Sequence, residues 1–202
     1  MTTQLPKTPI VAFNEDVLLH AYCNGFFPMG DSGTNEIRWY RPDPRAIIPL
    51  ESFHISNSLR RALNKKNYEV KINQQFETVV RHCMTRREES WITEKMIHVY
   101  TRAHQKGFAH SLEIYQDGLL AGGLYGVSIS GVFCGESMFH LKTNASKIAL
   151  CELVLRMRAI GMPLLDTQFS NSHMEQFHVE LISDEDYYLR LQAALKLPVS
   201  FI

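Results

Sequence analysis

Residues 109–140, AHSLEIYQDGLLAGGLYGVSISGVFCGESMFH, restrict this chain more than any other stretch. They read as three strands with only Asp117-Gly118 and Ser130-Gly131 between them. Two-residue turns of this kind need positive φ, which glycine and small polar residues accept, and they return the chain antiparallel to itself. The segment is therefore expected to form an antiparallel meander. Gly122, Gly123 and Gly126 lie inside the middle strand and predict a bulge or a close backbone approach. A helix is expected next, capped by Asn144, with Leu150, Leu153, Val154 and Met157 on one face and Gly161 as its stop. PLLDTQF then reads as a short buried strand. A short helical piece is expected after Asn171, and a last helix from Ser183.

Meander, helix, strand and helix in that order predict an α+β fold with a mixed sheet. The GNAT type of acyltransferase fold has this order, although a fold alone names no reaction. Upstream, Asn14 is positioned to cap a helix that carries Val17, Leu18, Ala21 and Tyr22 and stops at Gly25. RWYRPDPRAIIPL has three prolines and predicts short extended pieces around a turn, with Asp43 and Arg45 able to pair inside it. Ser56, Asn73 and Thr93 are expected as caps of three further helices. The chain is expected to divide into a small N-terminal α/β domain over residues 1–67 and a GNAT-like domain over 68–202.

Lysine plus arginine and aspartate plus glutamate number 21 each, which argues against a protein that coats nucleic acid through bulk charge. One cationic cluster stands out: Arg60, Arg61, Lys65 and Lys66. It reads either as a solvated helix face or as a phosphate-binding patch. No apolar run reaches about 18 residues, so no membrane partner is expected. The first ten residues show no apolar leader. Cys23, Cys83, Cys134 and Cys151 are too far apart for a zinc motif. A cytoplasmic protein with core thiols, without metal or cofactor, is the expectation.

Three polar residues stand where strands end: Glu136 after VFCG, and Asp166 with Gln168 in LLDTQ. Glu136 lies between apolar neighbours, where an unpaired carboxylate would cost several kcal/mol, so it is expected to meet a cation, a donor or a substrate. Asp166 and Gln168 are two residues apart and share a face of a strand. If the two strands are neighbours, two carboxylates and an amide converge. That set suits binding an amine or managing its proton, and equally suits plain capping.

Seven motifs go further: LLHAYCNGFFP, PDPRAII, HISNSLRRAL, WITEKMIHVYTRAHQKGFAHSLEIY, GGLYGVSISGVFCGESMF, NASKIAL and LLDTQ. Their combination closely resembles the leucyl/phenylalanyl-tRNA–protein transferases, from about residue 17 to about residue 190. The resemblance implies transfer of leucine or phenylalanine from aminoacyl-tRNA to the N-terminal arginine or lysine of a protein, which marks that protein for degradation. Methionine is a further expected donor. The resemblance also implies roles. Asp166 orients Gln168, which draws on the acceptor amine, and Glu136 holds the donor amino group. Phe133, Met138, Leu150, Leu153, Met157 and Leu165 form the side-chain pocket, and Trp91 stacks on the terminal adenine. Arg60, Arg61, Lys65 and Lys66 hold the acceptor stem.

The chain departs from the family pattern in places. KTPIVAFNED replaces a glycine-rich lead, FFPM replaces F-P-W and so puts Met29 at the adenine side, and GESMFH puts His140 beside the motif. Trp39 reads as structural. An acyl-CoA-dependent GNAT enzyme is disfavoured because HLKTN lacks the glycines that cradle a pyrophosphate. The alternatives that stay open are a related transferase with another acceptor and a non-catalytic tRNA-binding module.

Overall fold

The computed structural model describes residues 3–4, 13–31, 33–85 and 90–202. The expected lead-in before residue 13 lies almost wholly outside them, as do parts of the DSGTNE and TRREES loops. The meander forms as the sequence demands, with β6 (Ala109–Gln116), β7 (Leu119–Ile129) and β8 (Val132–His140) in antiparallel register. Asp117, Gly118 and Ser130 all take positive φ at the two turns.

These strands form the middle of a seven-stranded sheet of order β10-β4-β9-β8-β7-β6-β5. The flanking strands are β5 (Glu69–Ile72), β9 (Leu164–Gln168), β4 (Arg45–Ile48) and β10 (Glu180–Ile182). β8 and β9 run parallel because the helix α5 (Ala145–Ile160) crosses between them; every other pairing is antiparallel. The sheet is therefore mixed and the fold α+β, as expected. α5 covers one face with α2 (Asn57–Asn64), burying Leu150, Leu153, Val154 and Met157 against Leu112, Phe133 and Leu165. The other face carries α1 (Glu15–Cys23), α3 (Phe76–Thr85), α4 (Glu94–Gln105) and α7 (Asp184–Ala194). The short helix α6 (Ser172–Glu175) follows β9, capped by Asn171 as expected. A second, three-stranded sheet joins β1 (Thr3–Gln4), β3 (Ile37–Arg41) and β2 (Phe27–Gly30).

The division expected at residue 67 does not follow the sheets. β4 is an interior strand of the large sheet, and its four residues are all buried. A strand with no solvent face needs cover on both sides, which only the large sheet supplies. The prolines at 42 and 44 end β3 and turn the chain from one sheet into the other. β10 leaves no signal in the sequence, since three residues are too few to show alternation.

Several caps form as expected. Asn14 accepts from the Val17 N–H at 2.9 Å, Ser56 from Leu59 and Thr93 from Met96. Two expected caps do not. Asn144 sits at φ 67 with no side-chain cap bond. Asn73 turns at φ 59 and gives its side chain to Ser111 and His110. The buried carboxylate of Glu113 accepts from the Gln75 N–H and takes over the start of α3, where a negative group suits the helix dipole.

Candidate active site

β8 and β9 pair only as far as Cys134 and Asp166, and beyond that point they part. Two bulges open the gap. On β8, Tyr125 faces Ser137 and Gly126 faces Gly135, so Glu136 is the extra residue and has no partner across the ladder. Gly126 makes the bulge possible. A Cβ there would lie 2.3 Å from the Cys134 carbonyl oxygen and 2.4 Å from the Phe133 ring. On β9, Ala46 faces Gln168 and Ile47 faces Asp166, so Thr167 is the extra residue. Its hydroxyl donates to the Ala46 carbonyl at 3.1 Å and ties the bulge to β4.

The splayed strands enclose a cavity of about 440 Å³. Eight residues singled out from sequence line it: Met29, Trp91, Glu136, Met138, Leu150, Leu153, Leu165 and Gln168. Phe133 and Met157 are fully buried core behind the wall and do not line it. His140 is exposed at the end of β8, and Trp39 packs on Phe13; neither lines the cavity. Phe27, Leu124, Tyr125, Phe169, His173 and Met174 also line it; the first three fall inside quoted motifs, but nothing in the sequence assigned any of the six to a cavity wall. Phe27 and Phe169 meet edge to face at 5.4 Å, so the rim beside Met29 has two aromatic rings despite the missing tryptophan. Gly30 sets that rim. Its N–H donates to the Trp91 carbonyl at 2.9 Å, and a Cβ would strike that oxygen and Thr93.

Glu136 forms the floor. Oε1 accepts from Tyr22 at 2.7 Å and from the Gln168 amide at 3.0 Å, and Oε2 accepts from Tyr100 at 2.9 Å. Burial pushes its pKa up to about 7, against the pull of the Tyr22 and Tyr100 hydrogen bonds. Burial and the neighbouring carboxylate drive both tyrosines far above their ordinary pKa, so they remain donors. Gln168 reaches Glu136 because its backbone leaves the strand at φ 60.

Asp166 is not in the cavity wall. It is fully buried and forms a two-pronged ion pair with Arg45, at 2.9 Å from Nε and 2.6 Å from Nη2. Tyr187 donates to Oδ2 at 2.9 Å, and the Gln168 N–H donates to Oδ1 at 2.9 Å. Arg45 also donates to the Gly25 carbonyl and lies over the rings of Phe27 and Tyr187. The expected partnership of Arg45 with Asp43 inside the turn is replaced by this one. The reason is that β4 carries Arg45 into the sheet while Asp43 stays outside and accepts from the Asp184 N–H. Asp166 thus touches Gln168 through its backbone, not its amide. Arg60, Arg61, Lys65 and Lys66 are all exposed on or just after α2, which packs on α5 behind the cavity.

The family model described as leucyl/phenylalanyl-tRNA protein transferase matches residues 47–192, and that of its N-terminal domain matches residues 13–43. The chain belongs to the leucyl/phenylalanyl-tRNA–protein transferase family. Its similarity to named members is close. A leucyl/phenylalanyl-tRNA–protein transferase of Salinibacter ruber is 48% identical over 180 residues, 89% of this chain and 79% of that one. One of Gloeobacter violaceus is 45% identical over 192 residues, 95% of this chain and 99% of that one. The protein is accordingly an aminoacyltransferase. Among solved structures, a GCN5-related N-acetyltransferase from Kribbella flavida matches with a TM-score of 0.42 at 8% identity, over 70% of this chain and 55% of that one. A conserved protein from Staphylococcus epidermidis matches with a TM-score of 0.46 at 9% identity, over 90% and 68%. These likenesses are loose, and the fold class stands on the sheet order itself. Among the described residues of the transferase, no helix is long and apolar enough to cross a membrane.

Proposed function

We propose that this transferase moves leucine or phenylalanine, and also methionine, from the 3′ end of aminoacyl-tRNA to a protein whose N-terminus is arginine or lysine. It would work in the cytoplasm, where charged tRNA is made, and the new N-terminus would mark the acceptor for degradation. The observation that carries this reading is the cavity at the splay of β8 and β9, with apolar walls and a polar floor. Met138, Leu150, Leu153 and Leu165 offer an unbranched thioether and flexible aliphatic surface to one side chain. Such a wall adapts to leucine or to phenylalanine. Glu136 and Gln168 form the floor at which the amino groups of donor and acceptor meet.

Family membership supplies the reaction class, and the remaining residues fit the ends of the substrate. Trp91, with Phe27, Phe169 and Met29 on the same rim, gives the terminal adenine a stacking surface. The cations of α2 would hold the acceptor stem through its phosphates, which requires no reading of base sequence. Asp166 acts from behind. Sealed by Arg45 and Tyr187, it fixes the backbone of Gln168 and thereby the geometry of the floor.

The test is transfer itself. Labelled leucyl-, phenylalanyl- and methionyl-tRNA are incubated with peptides that begin with Arg, Lys, Asp or Ala. Label on the Arg and Lys peptides alone is the expected result. Label on the Asp peptide would reassign the acceptor, and tRNA binding without transfer would leave a binding module.

A further inference from the structure

Tyr22, Tyr100 and Glu136 form a closed triangle of side chains. Glu136 Oε1 lies 2.7 Å from the Tyr22 hydroxyl, Oε2 lies 2.9 Å from the Tyr100 hydroxyl, and the two hydroxyls lie 2.8 Å apart. Each side of the triangle is a hydrogen-bond distance, and each needs one proton. The two phenols bring two. With Glu136 ionised, one side sets lone pair against lone pair in a buried site, where such a mismatch is costly. A third proton on Glu136 completes the set. Oε2–H then donates to Tyr100, Tyr100 to Tyr22, and Tyr22 to Oε1, by rotation of hydroxyl hydrogens with no heavy atom displaced.

We infer that Glu136 is the catalytic residue that takes the proton of the acceptor's α-ammonium, and that Tyr22 and Tyr100 are the positioning residues that make room for it. This rests on the transfer reaction proposed above. Asp166 cannot serve, because its two oxygens already accept four donors and it has no exposure. Glu136 faces the cavity, and among the described residues its Oε2 accepts from Tyr100 alone.

The step balances. The ammonium gives one proton to the Glu136 carboxylate and becomes a neutral amine. The amine nitrogen bonds to the ester carbonyl carbon, the bond from that carbon to the ribose oxygen breaks, and the second nitrogen-bound proton leaves with that oxygen. Glu136 then returns its proton to solvent through the cavity mouth. The other groups that bear on its titration are few. Tyr125 of β7 faces it with a buried hydroxyl that has no partner among the described residues, and Cys83 of α3 stands behind that ring. Cys134 lies on its own strand, Asp166 and Arg45 are already paired, and His173 of α6 opens on the same cavity. Burial holds the Glu136 pKa up to about 7, close to where a general base works best at neutral pH.

The experiment is single-turnover transfer from phenylalanyl-tRNA to a peptide beginning with arginine, with wild type and E136Q, across neutral to alkaline pH. A free α-amine sheds its proton to solvent unaided near pH 8, so above that a protein base is no longer required. E136Q is expected to be about 100-fold slower than wild type at pH 7 and within about fivefold at pH 9. A deficit that is the same at every pH overturns the inference while leaving the transfer reading intact. No transfer by wild type at any pH overturns both. If E136Q does not fold, Y100F carries the test, since it breaks the triangle and keeps the carboxylate. A displaced midpoint of the pH profile is then expected, and an unmoved midpoint overturns the inference.

Discussion

Asp166 and Glu136 sit inside two strands that lie side by side, and they share one chemistry in two settings. Asp166 is closed off, its four acceptor positions taken by Arg45, Tyr187 and the backbone of Gln168. Glu136 is held from behind by two tyrosines and an amide and faces the cavity. The difference comes from position on the bulges. Asp166 is still paired to both neighbouring strands, whereas Glu136 is the residue that the β7–β8 ladder leaves out. A carboxylate met by a fixed guanidinium serves structure. One met by weak acids, and opened to a cavity, is free to exchange a proton.

The largest effect should come from breaking the sealed member. D166A leaves the Arg45 charge buried and unpaired and is expected to cost about 3–5 kcal/mol of folding stability, read from denaturant melts. A stable D166A protein would erase the contrast. Next is the pH dependence of stability. Glu136 binds a proton up to about pH 7 when folded, against 4.5 for an ordinary glutamate, so the folded chain holds the extra proton between those values. Stability should therefore fall as pH rises through that window, by about 3 kcal/mol, and E136Q should flatten the fall. Melts of both proteins across that range decide it.

Moving outward from floor to rim, W91A is expected to weaken donor binding by roughly 1–3 kcal/mol, the worth of one stacked base, measured as a ratio of dissociation constants for phenylalanyl-tRNA. The smallest effect on the fold belongs to α2. R60E with K65E should shift stability by less than about 0.5 kcal/mol. The slope of tRNA affinity against salt should fall by about 1 for each phosphate that these cations no longer neutralise. An unchanged slope would make these side chains a solvated face.

Much of the frame was legible in residue order. The hairpin turns at Asp117-Gly118 and Ser130-Gly131, the caps at Asn14 and Thr93, and the helix over Leu150–Met157 are local signals read by local geometry. The wall of the cavity was legible in part: the helix period puts Leu150 and Leu153 on one face, and the family resemblance marks Met138 and Leu165. Met157, on the same helix face, and Phe133, marked by the same resemblance, fall one layer deeper, since neither signal gives a depth. Asn73 and Asn144 look like caps in sequence, but a carboxylate from another strand and a left-handed turn occupy those places.

By itself, the sequence determined the meander, the crossover helix, the mixed sheet and the presence of polar residues that interrupt two apolar strands; Glu136, expected at a strand end, is a bulge inside β8, which runs on to His140. These follow from turn chemistry and from hydrophobic periods of a few residues. Only the tertiary structure decided which carboxylate does what. Arg45 finds Asp166 across 121 positions of chain, and Tyr22 and Tyr100 reach Glu136 across 114 and 36. No local pattern encodes such partners. They are set by strand order and by two one-residue bulges, and the partners, not the residue type, make one carboxylate a bolt and the other a base.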